Sequence, residues 1–105
     1  MLWELNDAED YRIETWDGWF GLGSVQKNAP NRAGVYTFVN SDFEVIYVGK
    51  AGAGRLQVEI QDALNREKGK GASQFAWFAT NSDERAKSLE NEWIHKYEPI
   101  NNLTV

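Results

Sequence analysis

The sequence contains no cysteine and a single histidine, His95. Without cysteine it has neither a disulfide framework nor a thiolate metal site. A lone histidine leaves no zinc-ligand set and no Ser-His-Asp triad, and we expect His95 to be a surface residue. No apolar run approaches the roughly 18 residues that cross a bilayer. The acidic first ten residues lack the basic start and apolar middle of a signal peptide, so we expect a cytoplasmic protein.

An excess of positive charge, the usual mark of a nucleic-acid-binding domain, is also missing. The net charge of the 105 residues is −5. Residues 1–20 account for it, because six acidic residues there stand against Arg12 alone, while the rest of the chain holds ten acidic and ten basic residues. Attraction to phosphate must therefore come from local clusters of cations and not from the overall charge.

The chain has the length of one ordinary domain. We interpret residues 1–27 as an acidic, Trp-rich arm, irregular or partly helical, whose aromatic side chains pack on a domain formed by residues 28–105. Runs of β-branched and aromatic residues predict strands at 34–39, 44–49 and 74–79. Helical spacing predicts one helix from residue 55 to about 66 and a second from an Asn81 N-cap to Pro99. The order β-β-α-β-α predicts an α+β fold with a small sheet covered by helices.

Two tyrosines fall on the first two predicted strands. If residues 40–43 form a four-residue loop, counting back from its ends places Tyr36 opposite Tyr47, on one face of the sheet. A register slip of one residue would separate them. The alternative is an ordinary aromatic pair in the core.

A glycine-rich turn, 49–55, connects the second strand to the first helix and has a cation near each end, Lys50 and Arg55. Such a turn exposes backbone N–H groups, and the helix N-terminus favours an anion. The glycine spacing fits neither a Walker motif nor a dinucleotide fingerprint. The alternative is a flexible connector in which Arg55 pairs with Glu59 one helical turn later.

A carboxylate, Glu90, lies on or beside the apolar stripe of the second helix. Burying a carboxylate without a partner is costly, so such a group usually has a cation, a metal ion or hydrogen-bond donors beside it. The alternative is a salt bridge at the edge of the stripe. No second carboxylate is placed to form a paired-acid glycosidase site.

Together these elements resemble the GIY-YIG nuclease family over about residues 28 to 103. The tripeptides 34–36 (Gly-Val-Tyr) and 47–49 (Tyr-Val-Gly) resemble the two halves of the family motif. The match continues with the other motif positions in order: Lys50, Arg55, Glu90 and, three residues after Pro99, Asn102. The loop between Tyr47 and Arg55 is similar to a shortened form of the one in excision-repair nicking subunits.

The resemblance implies a three-stranded antiparallel sheet flanked by helices and hydrolysis of a nucleic-acid phosphodiester, DNA rather than RNA, with one Mg²⁺ or Mn²⁺ ion. It implies that Glu90 holds the metal, that Arg55 contacts the scissile phosphate and that Tyr36 activates or positions the attacking water. Tyr47 and Lys50 would orient that water, the Tyr36 hydroxyl or the phosphate, and Asn102 would brace the site. Because a tyrosine has a free pKa of about 10, Tyr36 would need help from Lys50 or the metal to act as a base.

The basic residues available for binding nucleic acid beside the site are few: Lys27, Arg32, Arg66, Lys68 and Lys70. We therefore expect weak intrinsic specificity, or dependence on a protein partner or a homodimer. One rival hypothesis is a domain of this fold that binds nucleic acid or acts as an adaptor without cleaving. Another is an interaction module whose acidic arm binds a protein partner or shields the site.

Overall fold

A four-stranded antiparallel sheet forms the centre of the molecule. The computed structural model describes residues 1–103. The strands are β1 (Thr15–Gly21), β2 (Gly34–Val39), β3 (Val45–Ala51) and β4 (Gln74–Ala79), in the spatial order β1-β4-β2-β3. The α+β class with an antiparallel sheet is confirmed, whereas the expected number of three strands is wrong by one.

The additional strand, β1, comes from the segment interpreted as an irregular arm. It pairs with β4 from Thr15 opposite Ala79 to Gly21 opposite Gln74, with an irregularity between Gly18 and Phe20. Aspartate and glycine are poor strand formers, so the sequence Thr-Trp-Asp-Gly-Trp-Phe-Gly has little local preference for this conformation. The strand forms because the open edge of β4 supplies hydrogen-bond partners and because its aromatic side chains pack on the core.

Helices cover both faces of the sheet. They are α1 (Val25–Asn28), α2 (Leu56–Asn65), α3 (Asp83–Tyr97) and α4 (Ile100–Leu103). The apolar stripe of α2 packs on the face that carries Tyr36, and that of α3 packs on the opposite face. Within residues 1–103, no helix is both long and apolar enough to cross a membrane.

The ends of α3 are fixed by local chemistry. Ser82, one residue after the expected N-cap Asn81, accepts a hydrogen bond from the backbone N–H of Arg85. At the other end Glu98 adopts the left-handed conformation before Pro99, which ends the helix. The buried stripe of α3 consists of Ala86, Leu89, Trp93 and Tyr97. The fifth expected member, Ile94, is only half-buried.

A buried guanidinium fastens the segment before β1 to α3. Arg12 is 7% exposed and donates to Asp10 Oδ1 at 2.8 Å, Ser88 Oγ at 2.9 Å and Glu92 Oε2 at 3.0 Å. Much of the acidity of residues 1–20 therefore balances cations of the same molecule. The division of the chain between residues 27 and 28 stays a prediction.

Candidate active site

The two motif tyrosines lie on one face of the hairpin but not opposite each other. Tyr36 pairs with Gly49, and Tyr47 pairs with Phe38. Val39 lies opposite Val45, one residue away from the loop-based count, and a bulge between Phe38 and Val39 adds a second residue of offset. The direct pairing is a correction, whereas the shared face is as expected, since two residues of offset preserve the side. The two rings have centroids 6.1 Å apart.

Gly49 forms the floor on which the Tyr36 phenol lies. A Cβ atom added at Gly49 would lie 2.8 Å from Cε1 of Tyr36 and closer still to its Cζ and hydroxyl oxygen. Tyr36 is 2% exposed, and its hydroxyl donates to the backbone carbonyl of Glu59 on α2 at 3.4 Å. The absence of a side chain at this strand position therefore determines where the phenol lies.

The surroundings of Tyr36 favour the neutral phenol. Burial raises the pKa of Tyr36 far above its ordinary value; repulsion from Tyr47, when that phenol is ionised, and from Glu59 and Glu90 adds to the effect, while Arg66 opposes it. Lys50 pairs with Val35, the neighbour of Tyr36, and so points to the other face of the sheet. The arrangement suits Tyr36 as a hydrogen-bond donor that orients a water molecule or an oxygen anion.

Glu90 projects from α3 as a half-buried carboxylate. Within residues 1–103 it makes neither a hydrogen bond nor an ion pair, so the salt bridge considered as an alternative does not form. Burial raises the pKa of Glu90, and the positive charge of Lys50 partly opposes that rise. A desolvated carboxylate without a donor is a suitable ligand for a cation.

The described part of the chain holds no cluster of three or more His, Cys, Asp or Glu side chains that could bind a metal ion. A divalent ion held by Glu90 would therefore take most of its ligands from water and substrate. Mg²⁺ commonly binds in this way, because it retains several waters of hydration.

The two cations of the glycine-rich segment lie in different settings. β3 continues through Ala51, so Lys50 is an exposed strand residue and not part of the loop. Arg55 occupies the N-cap of α2, which begins at Leu56. Its guanidinium pairs with Glu59 Oε1 at 2.8 Å, as the alternative interpretation foresaw, and not with Glu90.

The closing asparagine, Asn102, binds β3, the outer strand that carries Tyr47 and Gly49. The backbone N–H of Val48 donates to Asn102 Oδ1 at 2.8 Å, and Asn102 Nδ2 donates to the Val48 carbonyl at 2.9 Å. Val48 lies between Tyr47 and Gly49, so this pair of bonds holds the strand that carries the tyrosine floor. The neighbouring Asn101 donates to the carbonyls of Lys68 and Lys70 at 2.7 and 3.0 Å and fixes the loop after α2.

The five expected nucleic-acid contacts lie in different local settings. Arg66 lies near enough to both phenols for its charge to act on them, but it pairs with Asp62 at 3.0 Å. Arg32 pairs with Glu14 of the segment before β1. The remaining three are lysines: Lys68 and Lys70 in the loop after α2, where Lys70 lines an open cavity of about 380 Å³, and exposed Lys27 on α1. The single histidine, His95, is exposed, as expected.

Two contributions were not assigned to the site from the sequence. From the sequence, Glu59 was expected only to pair with Arg55 one helical turn away. Gly49 was noted only as one position of the family motif. The available signals were the four-residue spacing of Arg55 and Glu59 and a glycine inside a strand, which often marks a close approach.

Comparison with known proteins gives a consistent result. The family model of the UvrC-like GIY-YIG domain matches residues 32–103. The UvrABC system protein C of Bacteroides fragilis is 31% identical over 88 residues, and that of Methanosphaera stadtmanae is 38% identical over 84 residues. These stretches cover 78% and 72% of this chain and 14% of each relative, so the chain spans about a seventh of the length of the curated relatives it matches.

A solved structure shows the same likeness. The GIY-YIG N-terminal endonuclease domain of UvrC from Thermotoga maritima, bound to its catalytic divalent cation, magnesium, superposes with a TM-score of 0.65 at 30% sequence identity. The similarity covers 77% of this chain and 93% of that domain. A variant of that domain in which a tyrosine is changed to phenylalanine gives a TM-score of 0.64.

Proposed function

The chain belongs to the UvrC-like GIY-YIG domain family, and from this premise we propose that it is an endonuclease domain that hydrolyses phosphodiester bonds in DNA with one bound Mg²⁺ or Mn²⁺. The matched region, 32–103, contains every candidate catalytic residue. The observation that carries the proposal is a half-buried carboxylate, Glu90, that no residue of 1–103 pairs with. It lies in the same matched region as the buried phenol of Tyr36, and its negative charge makes the smallest contribution to the raised pKa of that phenol.

Glu90 is the proposed metal ligand. Its carboxylate is desolvated and has no donor from the described residues, and Lys50 nearby favours its ionised form. When bound, a divalent ion stabilises negative charge on phosphoryl oxygens and lowers the pKa of bound water. The magnesium in the related Thermotoga maritima domain supports a divalent ion as the cofactor.

Arg55 is the proposed contact to the scissile phosphate. More than half of its side chain is exposed, 55%, and it lies at the N-terminus of α2, where the helix favours an anion. The planar guanidinium fits two phosphate oxygens at once. Lys50, on the neighbouring strand end, adds a second positive charge.

Tyr36 and Tyr47 are proposed to orient the attacking water. Because Tyr36 is held neutral and its O–H makes only a long bond, 3.4 Å, to the Glu59 carbonyl, it can exchange that partner for an oxygen whose negative charge grows during the attack. A donor held in place beside that oxygen stabilises the transition state. Asn102 contributes indirectly by holding the strand between the two motif positions.

Substrate choice is proposed to need more than this chain. Several of the site's arginines are already paired with carboxylates, and the net charge is −5. Binding that relies on few free cations is weak and sensitive to salt. A protein partner, a second copy or further domains of a longer protein would supply affinity and specificity.

The test is nicking of supercoiled plasmid in the presence of Mg²⁺ or Mn²⁺. We expect Glu90→Gln and Arg55→Ala to lower the rate at least about 100-fold, the usual scale for losing a transition-state contact. Glu84→Gln is the matched control, because Glu84 is an exposed glutamate on the same helix. Cleavage that persists in both site variants would come from a contaminant. Binding of DNA by the wild-type chain without cleavage would favour the non-cleaving adaptor instead.

A further inference from the structure

Glu59 contacts two parts of the candidate site. Its carboxylate accepts from the Arg55 guanidinium at 2.8 Å. Its backbone carbonyl accepts from the Tyr36 hydroxyl, and its charge acts on that phenol. At 29% exposure the Glu59 side chain is more enclosed than Arg55. One residue of α2 therefore contacts both the proposed phosphate ligand and the proposed water-orienting phenol.

The ion pair between Arg55 and Glu59 is poorly placed to stabilise helix α2. A cation at a helix N-terminus opposes the macrodipole, and an i,i+4 pair is weaker when the base precedes the acid. The second pair on α2, between Asp62 and Arg66, has the favourable order. The geometry of Arg55 and Glu59 thus contributes little to helix stability, and its consequence is the direction in which the guanidinium points.

We propose that Glu59 is a positioning residue that holds the Arg55 guanidinium beside the tyrosine face and competes with nucleic acid for it, thereby setting the phosphate affinity of the site. This inference rests on the proposed function of Arg55 as the phosphate contact. Two properties of Glu59 have separate effects. The carboxylate oxygen of Glu59 accepts a hydrogen bond and so fixes the position of the guanidinium. The negative charge of Glu59 repels an incoming phosphate, and the ion pair occupies one edge of the Arg55 guanidinium with its five N–H donors.

The two properties are separable by substitution. Glu59→Gln keeps an oxygen acceptor of the same reach and removes the charge, whereas Glu59→Ala removes both. Both variants therefore bind a phosphodiester more tightly. Only Glu59→Ala releases the guanidinium from its position, so only this variant loses turnover.

The binding test is fluorescence anisotropy of a short labelled DNA duplex in EDTA, where no cleavage occurs. We expect Glu59→Gln to lower the Kd about three-fold, the scale of an exposed ion pair together with relief of one nearby like charge. In the Arg55→Ala background the same substitution should change the Kd by less than half as much, because the effect passes through Arg55. Asp42→Asn, at the opposite end of the β2–β3 hairpin, controls for the change in net charge.

The kinetic test is plasmid nicking in Mg²⁺ over a range of DNA concentrations. We expect Glu59→Gln to lower KM with kcat within about two-fold of wild type, and Glu59→Ala to lower kcat about ten-fold, since misplacement of a contact by about 1 Å costs up to about 100-fold. Equal Kd values for wild type and Glu59→Gln, or an equal gain in Asp42→Asn, would overturn this inference alone. Failure of the wild-type chain to bind DNA would overturn the proposed function and this inference with it.

Discussion

Replacing Gly49 by alanine tests whether the floor beneath Tyr36 places the phenol. The new Cβ atom would lie 2.8 Å from Cε1 of Tyr36, and closer to Cζ, where ordinary contacts begin at 3.4 Å. The ring has little room to retreat, because Tyr36 is 2% exposed and packs against Phe38 with ring centroids 5.5 Å apart. Either the ring leaves its position or the hairpin separates locally.

The expected cost follows from two opposing effects. Overpacking a close-packed core costs about 1–3 kcal/mol. The lower entropy of the unfolded alanine chain offsets about 0.4–1 kcal/mol of that. We therefore expect a net loss of about 1–2 kcal/mol in the free energy of unfolding, and a decrease in Tm of about 4–8 °C per kcal/mol for a domain of this size. Displacing the phenol by about 1 Å should also lower the nicking rate by up to about 100-fold.

Thermal unfolding followed by circular dichroism, together with the plasmid nicking assay, measures both effects. Gly23→Ala is the control, since a Cβ atom there meets nothing within 4 Å and the backbone is not left-handed. In a Tyr36→Ala background, Gly49→Ala should no longer destabilise, because the ring that it displaces is gone. A Gly49→Ala protein with the wild-type Tm and nicking rate would refute the reasoning.

Three further outcomes are expected. Mn²⁺ affinity, measured by isothermal titration calorimetry, should fall as the pH is lowered through a midpoint above 4.5, the ordinary pKa of a glutamate. The reason is that burial raises the pKa of Glu90 and the metal needs the ionised carboxylate. Affinity independent of pH would exclude Glu90 as the ligand. Asn102→Ala should cost about 1 kcal/mol in urea unfolding, because both edge groups of Val48 lose their partners; an unchanged midpoint would contradict this role. The hydrogen bond from Arg12, against an opposing desolvation, holds the pKa of Asp10 below its unfolded value, so this stabilisation is present above that value and is lost as the pH falls through the folded pKa. Asp10→Asn should flatten the acid limb of the stability curve, and an identical limb in both proteins would disprove the linkage.

The elements that sequence patterns predict well are those whose residues have strong local preferences. β2 and β4 begin and end at the expected residues, because each is a run of β-branched and aromatic side chains. α3 begins one residue later than expected, at Asp83, because Ser82 and not Asn81 provides the capping oxygen. Such boundaries depend on contacts between near neighbours in the chain.

The features that the sequence did not predict depend on contacts between distant residues. β1 becomes a strand only because the edge of β4 is available, and nothing in residues 15–21 alone requires it. The bulge after Phe38 shifts the hairpin register, and turn length alone does not reveal it. The position of Tyr36 opposite Gly49 follows from that bulge together with the one-residue offset at Val39.

The site residues were found from the sequence as a set but not in their partnerships. Motif spacing brought Tyr36, Tyr47 and Glu90 to attention. Lys50 pairs with Val35 and therefore points to the face opposite Tyr36, and its positive charge acts on Glu90, a partnership that the motif did not predict. Ion pairs are decided by three-dimensional packing, which a motif does not encode.

The amide of Asn102 also has a consequence for what can attach to the sheet. β3 is an outer strand, and its free N–H and C=O groups would ordinarily accept an additional polypeptide strand. Asn102 takes both groups of Val48, while Met1 and Trp3 hydrogen-bond to the strand start and the turn before it. Next to Tyr47, the Asn102 side chain thereby occupies the place where an added strand would pair with Val48.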